Sequence, residues 1–128
     1  FTRIDQSIAM ATLFTAAHLK VKAVAALTQA GSTALWISRH NCGCPIFALT
    51  PEVGAQRKMA LYRNVRTLYL EQSGDRDAVL HAACDLLVAR GQVHKGDLIV
   101  VTIGEPMGKS GGTNTMKIVR VGEHRTTA

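Results

Sequence analysis

A hydroxyl-rich turn is the first part of this 128-residue chain whose residue types and spacing could do chemistry. It consists of Thr28, Gln29, Ala30, Gly31, Ser32 and Thr33. The turn lies between a predicted strand and a predicted helix, where unpaired backbone N–H groups and the helix dipole favour a phosphate. Gly31 would let the backbone approach a ligand closely, and the three hydroxyls could donate hydrogen bonds. An ordinary strand-to-helix connection with a serine cap is the alternative interpretation.

A glycine-rich segment near the end of the chain, GEPMGKSGG, superficially resembles the phosphate-binding loop of nucleotide hydrolases. That loop has four residues between its glycines and a helix that begins at its Lys-Ser pair. Here three residues separate Gly104 from Gly108, and no helical pattern follows. We therefore expect a loop that folds over a nearby anion without hydrolysing a nucleotide. The residues expected to contact the anion are Lys109, Ser110, Gly111 and Gly112.

A third cluster, His40, Cys42 and Cys44, carries side chains that bind soft metals. A closed zinc site usually needs a second pair of ligands, which this chain does not provide at a typical spacing. We therefore interpret the cysteines as reduced loop residues and predict no metal site. Nucleophile elbows, paired carboxylates and dinucleotide fingerprints are also missing from the sequence, so we predict no catalytic residues.

Composition favours one soluble domain that spans residues 1–128. Hydrophobic residues make up 47% of the chain, but no apolar run approaches the roughly 18 to 20 residues that a membrane span requires. The opening residues lack a secretory signal, and the start at Phe1 suggests a fragment of a longer product. Three cysteines suit a reducing compartment, so we expect a cytoplasmic protein with no membrane partner.

The chain is basic, with a formal net charge of +6. Its lysines and arginines are scattered, and aromatic residues make up only 5% of the sequence. Nucleic-acid binding usually requires a basic patch with interleaved aromatic residues, so we predict no nucleic-acid partner. A basic surface that favours small anions is the remaining interpretation.

The elements that must position these residues alternate along the chain. Periodicity and capping signals predict helices over 2–20, from Ser32 or Thr33 to about 40, from a Thr50-Pro51-Glu52 start to about 64, and over 75–91. Apolar runs predict strands over 21–28, 46–49, 65–70, 98–103 and 115–121. This order predicts an α/β fold with a five-stranded, mostly parallel sheet covered on both faces. Because only a loop separates the last two strands, the fifth should be antiparallel at an edge.

Three segments in this order resemble the C-terminal domain of pyruvate kinase, and the resemblance covers nearly the whole chain. They are AVAALTQAGSTALWISR, PIFALTP and HKGDLIVVTIGEPMGKSGGTNTMKIV. The most specific part is Lys95-Gly96-Asp97, followed by Gly112-Thr113-Asn114-Thr115 before the final strand.

The resemblance implies a three-layer α/β/α sandwich that binds an allosteric effector. Residues 28–33 would hold the effector's phosphate, and residues 109–112 would close over its sugar or nucleoside. The domain itself would bind no cofactor, since Mg²⁺ and K⁺ belong to a preceding catalytic barrel that the chain does not include. The parent enzyme would transfer phosphate from phosphoenolpyruvate to ADP, while this fragment alone would be inactive. Its protein partners would be that barrel and further subunits of a tetramer.

Departures from the family pattern narrow the expected effector. Relatives that respond to fructose 1,6-bisphosphate commonly carry a lysine and a serine where this chain has Gln29 and Ala30, and some have an arginine near Val79. The chain is more similar to bacterial forms that respond to AMP or to sugar monophosphates such as ribose 5-phosphate. The alternative hypothesis is a pure association module with a non-functional pocket. The identity of the effector stays open at this point.

Overall fold

The computed structural model describes residues 3–28, 32–40, 43–72, 75–104 and 113–123. Four helices and five strands lie in these ranges. In chain order they are α1 (Arg3–Leu19), β1 (Ala23–Leu27), α2 (Ser32–Ser38), β2 (Ile46–Thr50), α3 (Val53–Met59), β3 (Val65–Tyr69), α4 (Arg76–Ala89), β4 (Leu98–Gly104) and β5 (Thr113–Arg120). None of the helices in this described part is long and apolar enough to cross a membrane.

The strands form one sheet in the order β3-β2-β1-β4-β5. The first four strands of the chain are parallel, whereas β5 pairs antiparallel with β4 at an edge. The connection between β4 and β5, residues 105–112, is shorter than the dozen or more residues that a parallel crossover needs, which explains this direction. The predicted α/β sheet with an antiparallel edge strand is confirmed.

Helices cover both faces of the sheet. On one face, α4 packs through residues such as Leu87 against Leu27 and Ile103. On the other face, α1, α2 and α3 pack against Val24 and Val100. Successive side chains of a strand point to opposite faces, so a strand covered on both sides must be apolar throughout. Every residue of β1 and of β2 is accordingly buried.

The capping residues predicted at the two ends of α4 are found there. The Asp75 carboxylate accepts a hydrogen bond from the Ala78 N–H at 2.8 Å and so caps the first turn. Past the last turn, Gly91 adopts φ +70°, and the Gln92 N–H donates to the Leu87 carbonyl at 3.0 Å. This left-handed glycine with a bond spanning five residues is a Schellman motif.

The predicted limits of the third helix are wrong at both ends. α3 begins at Val53, so Pro51 lies outside it, and Thr50 is the last residue of β2. The Thr50 hydroxyl still accepts a hydrogen bond from the Glu52 N–H at 3.1 Å. At the other end α3 stops at Met59, because β3 starts at residue 65 and the chain must turn before it. Asn64 completes that turn with φ +61°.

The Lys95-Gly96-Asp97 motif joins the start of β4 to the end of β5. The Gly96 N–H donates to the Val121 carbonyl, and the Val121 N–H donates to the Asp97 carbonyl, both at 2.8 Å. The Asp97 carboxylate accepts the His94 N–H at 2.8 Å. Gly96 adopts φ +95°, a conformation that favours glycine. The motif therefore has a structural role at the amino end of β4.

Candidate functional site

The order of strands reverses beside β1. From β1 the chain passes through α2 and α3 to β2 and β3, and it then returns through α4 to β4 on the other side of β1. The helices of the outward path lie on one face of the sheet, and α4 lies on the other. In open α/β sheets, ligands bind at the carboxyl ends of the strands where such a reversal occurs. The carboxyl ends of β1 and β4 are therefore the candidate site.

Both predicted anion-binding segments start from this place. Ala26 of β1 pairs with Thr102 of β4, so continuation of the register puts Thr28 beside Gly104. Neighbouring strands lie about 4.8 Å apart, so the chain leaves β1 and β4 at adjacent points. The return point is fixed as well, since Thr113 of β5 pairs with Gly104. The tertiary structure thus places Thr28 beside Gly104, the described residues from which the two predicted segments leave the sheet.

The structure describes three of the predicted site residues. Thr28 is 8% exposed, and its N–H donates to the Leu49 carbonyl at 3.0 Å, so this amide is used by the sheet. Ser32 is the first residue of α2, which confirms that a helix follows the turn. Thr33 is buried in the first turn of that helix. The other predicted site residues lie outside the described residues: Gln29, Ala30, Gly31, Lys109, Ser110, Gly111 and Gly112.

A row of buried threonines lies at the carboxyl ends of the central strands, and sequence reasoning missed it. Alternation along the strands puts Thr28, Thr50 and Thr102 on the face covered by α1, α2 and α3. Thr102 is fully buried, and its hydroxyl has no hydrogen-bond partner within the part of the chain that the structure describes. The available signal was a hydroxyl inside the apolar run LIVVTIG.

The cysteines and histidines do not converge. Cys44 is half-buried ahead of β2, and the exposed His40 ring lies 3.3 Å from the Trp36 carbonyl. Cys42 lies outside the described residues. Cys84 sits in the α4 core, where burial, followed by the charge of Asp85, raises the pKa of its thiol to about 11. Across the described ranges, no three His, Cys, Asp or Glu residues are grouped so that they could hold a metal ion.

These features define an α/β domain whose strand order reverses beside β1. Comparison with known proteins identifies the family to which this α/β domain belongs. The family described as "Pyruvate kinase, alpha/beta domain" matches residues 6–119. The chain therefore belongs to the pyruvate kinase alpha/beta domain family.

Several curated proteins support this assignment. The chain is 37% identical over 122 residues to the pyruvate kinase of Buchnera aphidicola subsp. Baizongia pistaciae, covering 94% of this chain and 26% of that protein. It is 38% identical over 122 residues to pyruvate kinase II of Salmonella typhimurium, covering 94% and 25%. A Staphylococcus epidermidis pyruvate kinase is 38% identical over 122 residues, with 95% and 21% covered. The chain thus spans about a quarter or less of the length of these relatives.

Proposed function

We propose that this chain is the effector-binding and subunit-association domain of a pyruvate kinase, with residues 1–128 as one domain. Its effector would be a phosphorylated small molecule such as AMP or ribose 5-phosphate. The adjacency of β1 and β4 at the reversal of strand order carries the proposal. Because of it, the hydroxyl-rich turn and the glycine-rich loop start from the same edge of the sheet. A pocket made by both segments needs this arrangement.

The proposed donors to the phosphate are backbone amides and hydroxyls of the turn at residues 29–33. The Thr28 amide is excluded, since it bonds to Leu49. The start of α2 adds the favourable end of a helix dipole, and Lys109 would add one positive charge from the second segment. Such a pocket would suit one phosphate group with a sugar or nucleoside attached.

The described part of α4 argues against a doubly phosphorylated sugar. Val79, near which some relatives have an arginine, is 1% exposed and packs in the core beneath α4. A cation at that exact side-chain position would be buried without a partner, which is unfavourable. Gln29 and Ala30 add no charge either. A monophosphate therefore fits the proposed pocket better than a bisphosphate.

The parent enzyme would transfer phosphate from phosphoenolpyruvate to ADP in the cytoplasm, as the resemblance implies. Its catalytic residues, Mg²⁺ and K⁺ would belong to parts of the enzyme outside this chain. The effector would act on catalysis indirectly, because a ligand that binds one quaternary state better shifts the population toward it. Such coupling usually amounts to about 1 to 3 kcal/mol.

The outer surface of α1 and the neighbouring edge strand support the association role. Ile4, Met10 and Phe14 are at least half exposed on α1, opposite its buried residues. α1 packs over β4 and β5, and Ile118 of the edge strand is also partly exposed. We name Ile4, Met10, Phe14 and Ile118 the α1/β5 surface. Large exposed apolar side chains on one helix and on the strand it packs against make this surface our candidate for a protein interface.

The effector site can be tested by thermal unfolding of a tetrameric pyruvate kinase that carries this domain. AMP or ribose 5-phosphate should raise the melting temperature, since a ligand that binds only the folded state stabilises it. The Gly31→Asp variant should lose the shift, because the carboxylate would repel the phosphate. Gly54→Asp is the matched control: Gly54 lies in the first turn of α3, with open space around its Cα, and its variant should respond normally.

The same experiment separates the two hypotheses for this domain. A normal effector response in the Gly31→Asp variant would contradict the proposed pocket. Tetramers that show no stabilisation by any member of a panel of phosphorylated metabolites would favour the pure association module. Assembly would then be the sole role of the domain.

A further inference from the structure

A cavity lies at the opposite end of the molecule from the proposed effector site. It is open to solvent and has a volume of about 660 Å³, between the end of α1, the residues before β1 and the residues before β2. This volume lies in the range of about 300 to 1,000 Å³ that is usual for small-molecule sites. Ala17 and Pro45 give the lining exposed apolar surface, and Lys20 and Lys22 supply two cations. The described lining contains no carboxylate.

Lys20 has an unusual backbone conformation for a lysine. It follows the last residue of α1 with φ +52°, and the Val21 N–H donates to the Ala16 carbonyl at 3.2 Å. This is the same Schellman motif that ends α4, where Gly91 takes the left-handed position. A side chain with a Cβ is disfavoured in this conformation, whereas glycine adopts it freely. The chain therefore accepts at α1 a backbone cost that it avoids at α4.

Attraction to the negative end of the helix dipole is the simpler explanation for Lys20. It does not account for the second cation, because Lys22 lies beyond the helix and beside the same cavity. The dipole also does not explain why the lysine stands in the left-handed position after α1, because a lysine inside the last turn of the helix would interact with the dipole equally well. A residue held in a disfavoured conformation beside a cavity is a recognised sign of a functional site.

We propose that this cavity is a second anion site, which takes a small organic phosphate with an apolar body. Lys20 and Lys22 would hold the phosphate as point charges, and Ala17 and Pro45 would contact the apolar part. The site is separate from the proposed effector pocket, because it lies at the amino ends of the parallel strands and not at their carboxyl ends.

A neighbouring cavity of about 550 Å³ shares Gly43, Cys44 and Pro45 with the first and is also lined by Arg66. We do not assign Arg66 to the site. Its guanidinium donates to the Gln92 side chain at 3.1 Å and lies 5.9 Å from the centre of the Phe47 ring. Phe47 belongs to the face covered by α4, whereas the α1 end lies on the other face.

Titration of the isotope-labelled 128-residue chain with phenyl phosphate, followed by amide NMR, tests the proposal. Phenyl phosphate combines a phosphate with an apolar ring. Saturable shifts are expected at the amides of Lys20, Val21 and Lys22. Lys20→Gly and Lys22→Gln should each weaken binding about tenfold, the usual effect of losing one charge-assisted contact. Lys117→Gln, an exposed lysine on β5, should bind as the parent chain does.

Lys20→Gly also separates binding from stability. The variant should melt at a higher temperature than the parent while it binds phenyl phosphate more weakly, because glycine relieves the left-handed backbone. Unsaturable shifts at these amides, or equal binding by the Lys20→Gly variant, would overturn the proposal. Shifts confined to Thr28 and Thr33 would also overturn it, but would leave the effector pocket standing. Shifts at Lys20 to Lys22 without any at Thr28 or Thr33 would support this site independently of that pocket.

Discussion

Thr102 is the residue at which burial and hydrogen bonding disagree most clearly. Its hydroxyl is fully buried on β4, the strand next to β1, and it has no hydrogen-bond partner among the described residues. A buried hydroxyl without a hydrogen bond costs about 1 to 3 kcal/mol in protein mutational data. Its neighbours on adjacent strands, Ala26 and Met116, offer no side-chain polar group that could satisfy it strongly. We therefore expect an apolar side chain of the same shape to recover stability at this position.

Replacement of Thr102 by valine should stabilise the domain by about 1 kcal/mol, because it removes a buried hydroxyl that no described residue pairs with and creates no cavity. Urea unfolding measures the change. Thr102→Ser is the matched control, which keeps the hydroxyl, loses a methyl group and should destabilise by about 1 kcal/mol. A valine variant that is clearly less stable than the parent would mean that the hydroxyl has a strong partner.

At the scale of elements, local sequence signals predict the ends of α4 well and the ends of α3 poorly. α4 has a cap, an acidic first turn and a terminal glycine that all agree, and its ends lie within two residues of the predicted limits. α3 has a proline and a threonine that suggest an earlier start, but Thr50 is needed in β2. Sheet pairing outweighs the local signal there, because Thr50 pairs with Tyr69 of β3.

Asp75→Ala should destabilise the domain by about 1 kcal/mol, since the first-turn amide of Ala78 loses its acceptor. Chemical denaturation monitored by circular dichroism measures this loss. Asp75→Asn is the control, because asparagine caps helices about as well as aspartate and should change stability by only a few tenths of a kcal/mol. Equal losses in both variants would mean that the charge of Asp75, and not the hydrogen bond, stabilises α4.

At the scale of the whole molecule, the proposed effector site and the proposed association surface lie on different parts of the domain. We propose that a small ligand binds at the carboxyl ends of β1 and β4, and that another subunit binds the α1/β5 surface. The two places are linked by β4, because α1 packs over β4 and β5 and the proposed ligand site lies at the carboxyl end of β4. If subunits associate through the α1/β5 surface, ligand contacts near β4 can influence assembly through the sheet they share.

Phe14→Glu should weaken self-association at least tenfold, because it would bury a charge in an apolar interface. Sedimentation velocity across a concentration series measures the effect. Phe14 is 70% exposed, so the folded subunit itself should tolerate the change. The substitution removes the stacking of Phe14 on His18, whose ring centre lies 5.6 Å away. Tyr69→Glu, at an exposed aromatic residue on the opposite edge of the sheet, is the control. Equal assembly of both variants and the parent would rule out the α1/β5 surface.

The sequence alone determined which segments are helices and which are strands. The signals for buried strands and for helix caps lie in residues that are neighbours along the chain. The continuous apolar runs of β1 and β2, the cap at Asp75 and the direction of β5 belong to this class. The hydroxyl-rich turn was predicted in the same way, as a strand end followed by a helix start.

Only the tertiary structure decided which strand ends meet. Nothing local requires β4 to lie beside β1, since residues 28 and 104 are brought together by a reversal of strand order that involves the whole sheet. Long-range packing of the same kind also decided the burial of the Thr102 hydroxyl, the end of α3 and the cavity beside Lys20. Periodicity along a chain reports which side of an element is buried, but not which element buries it.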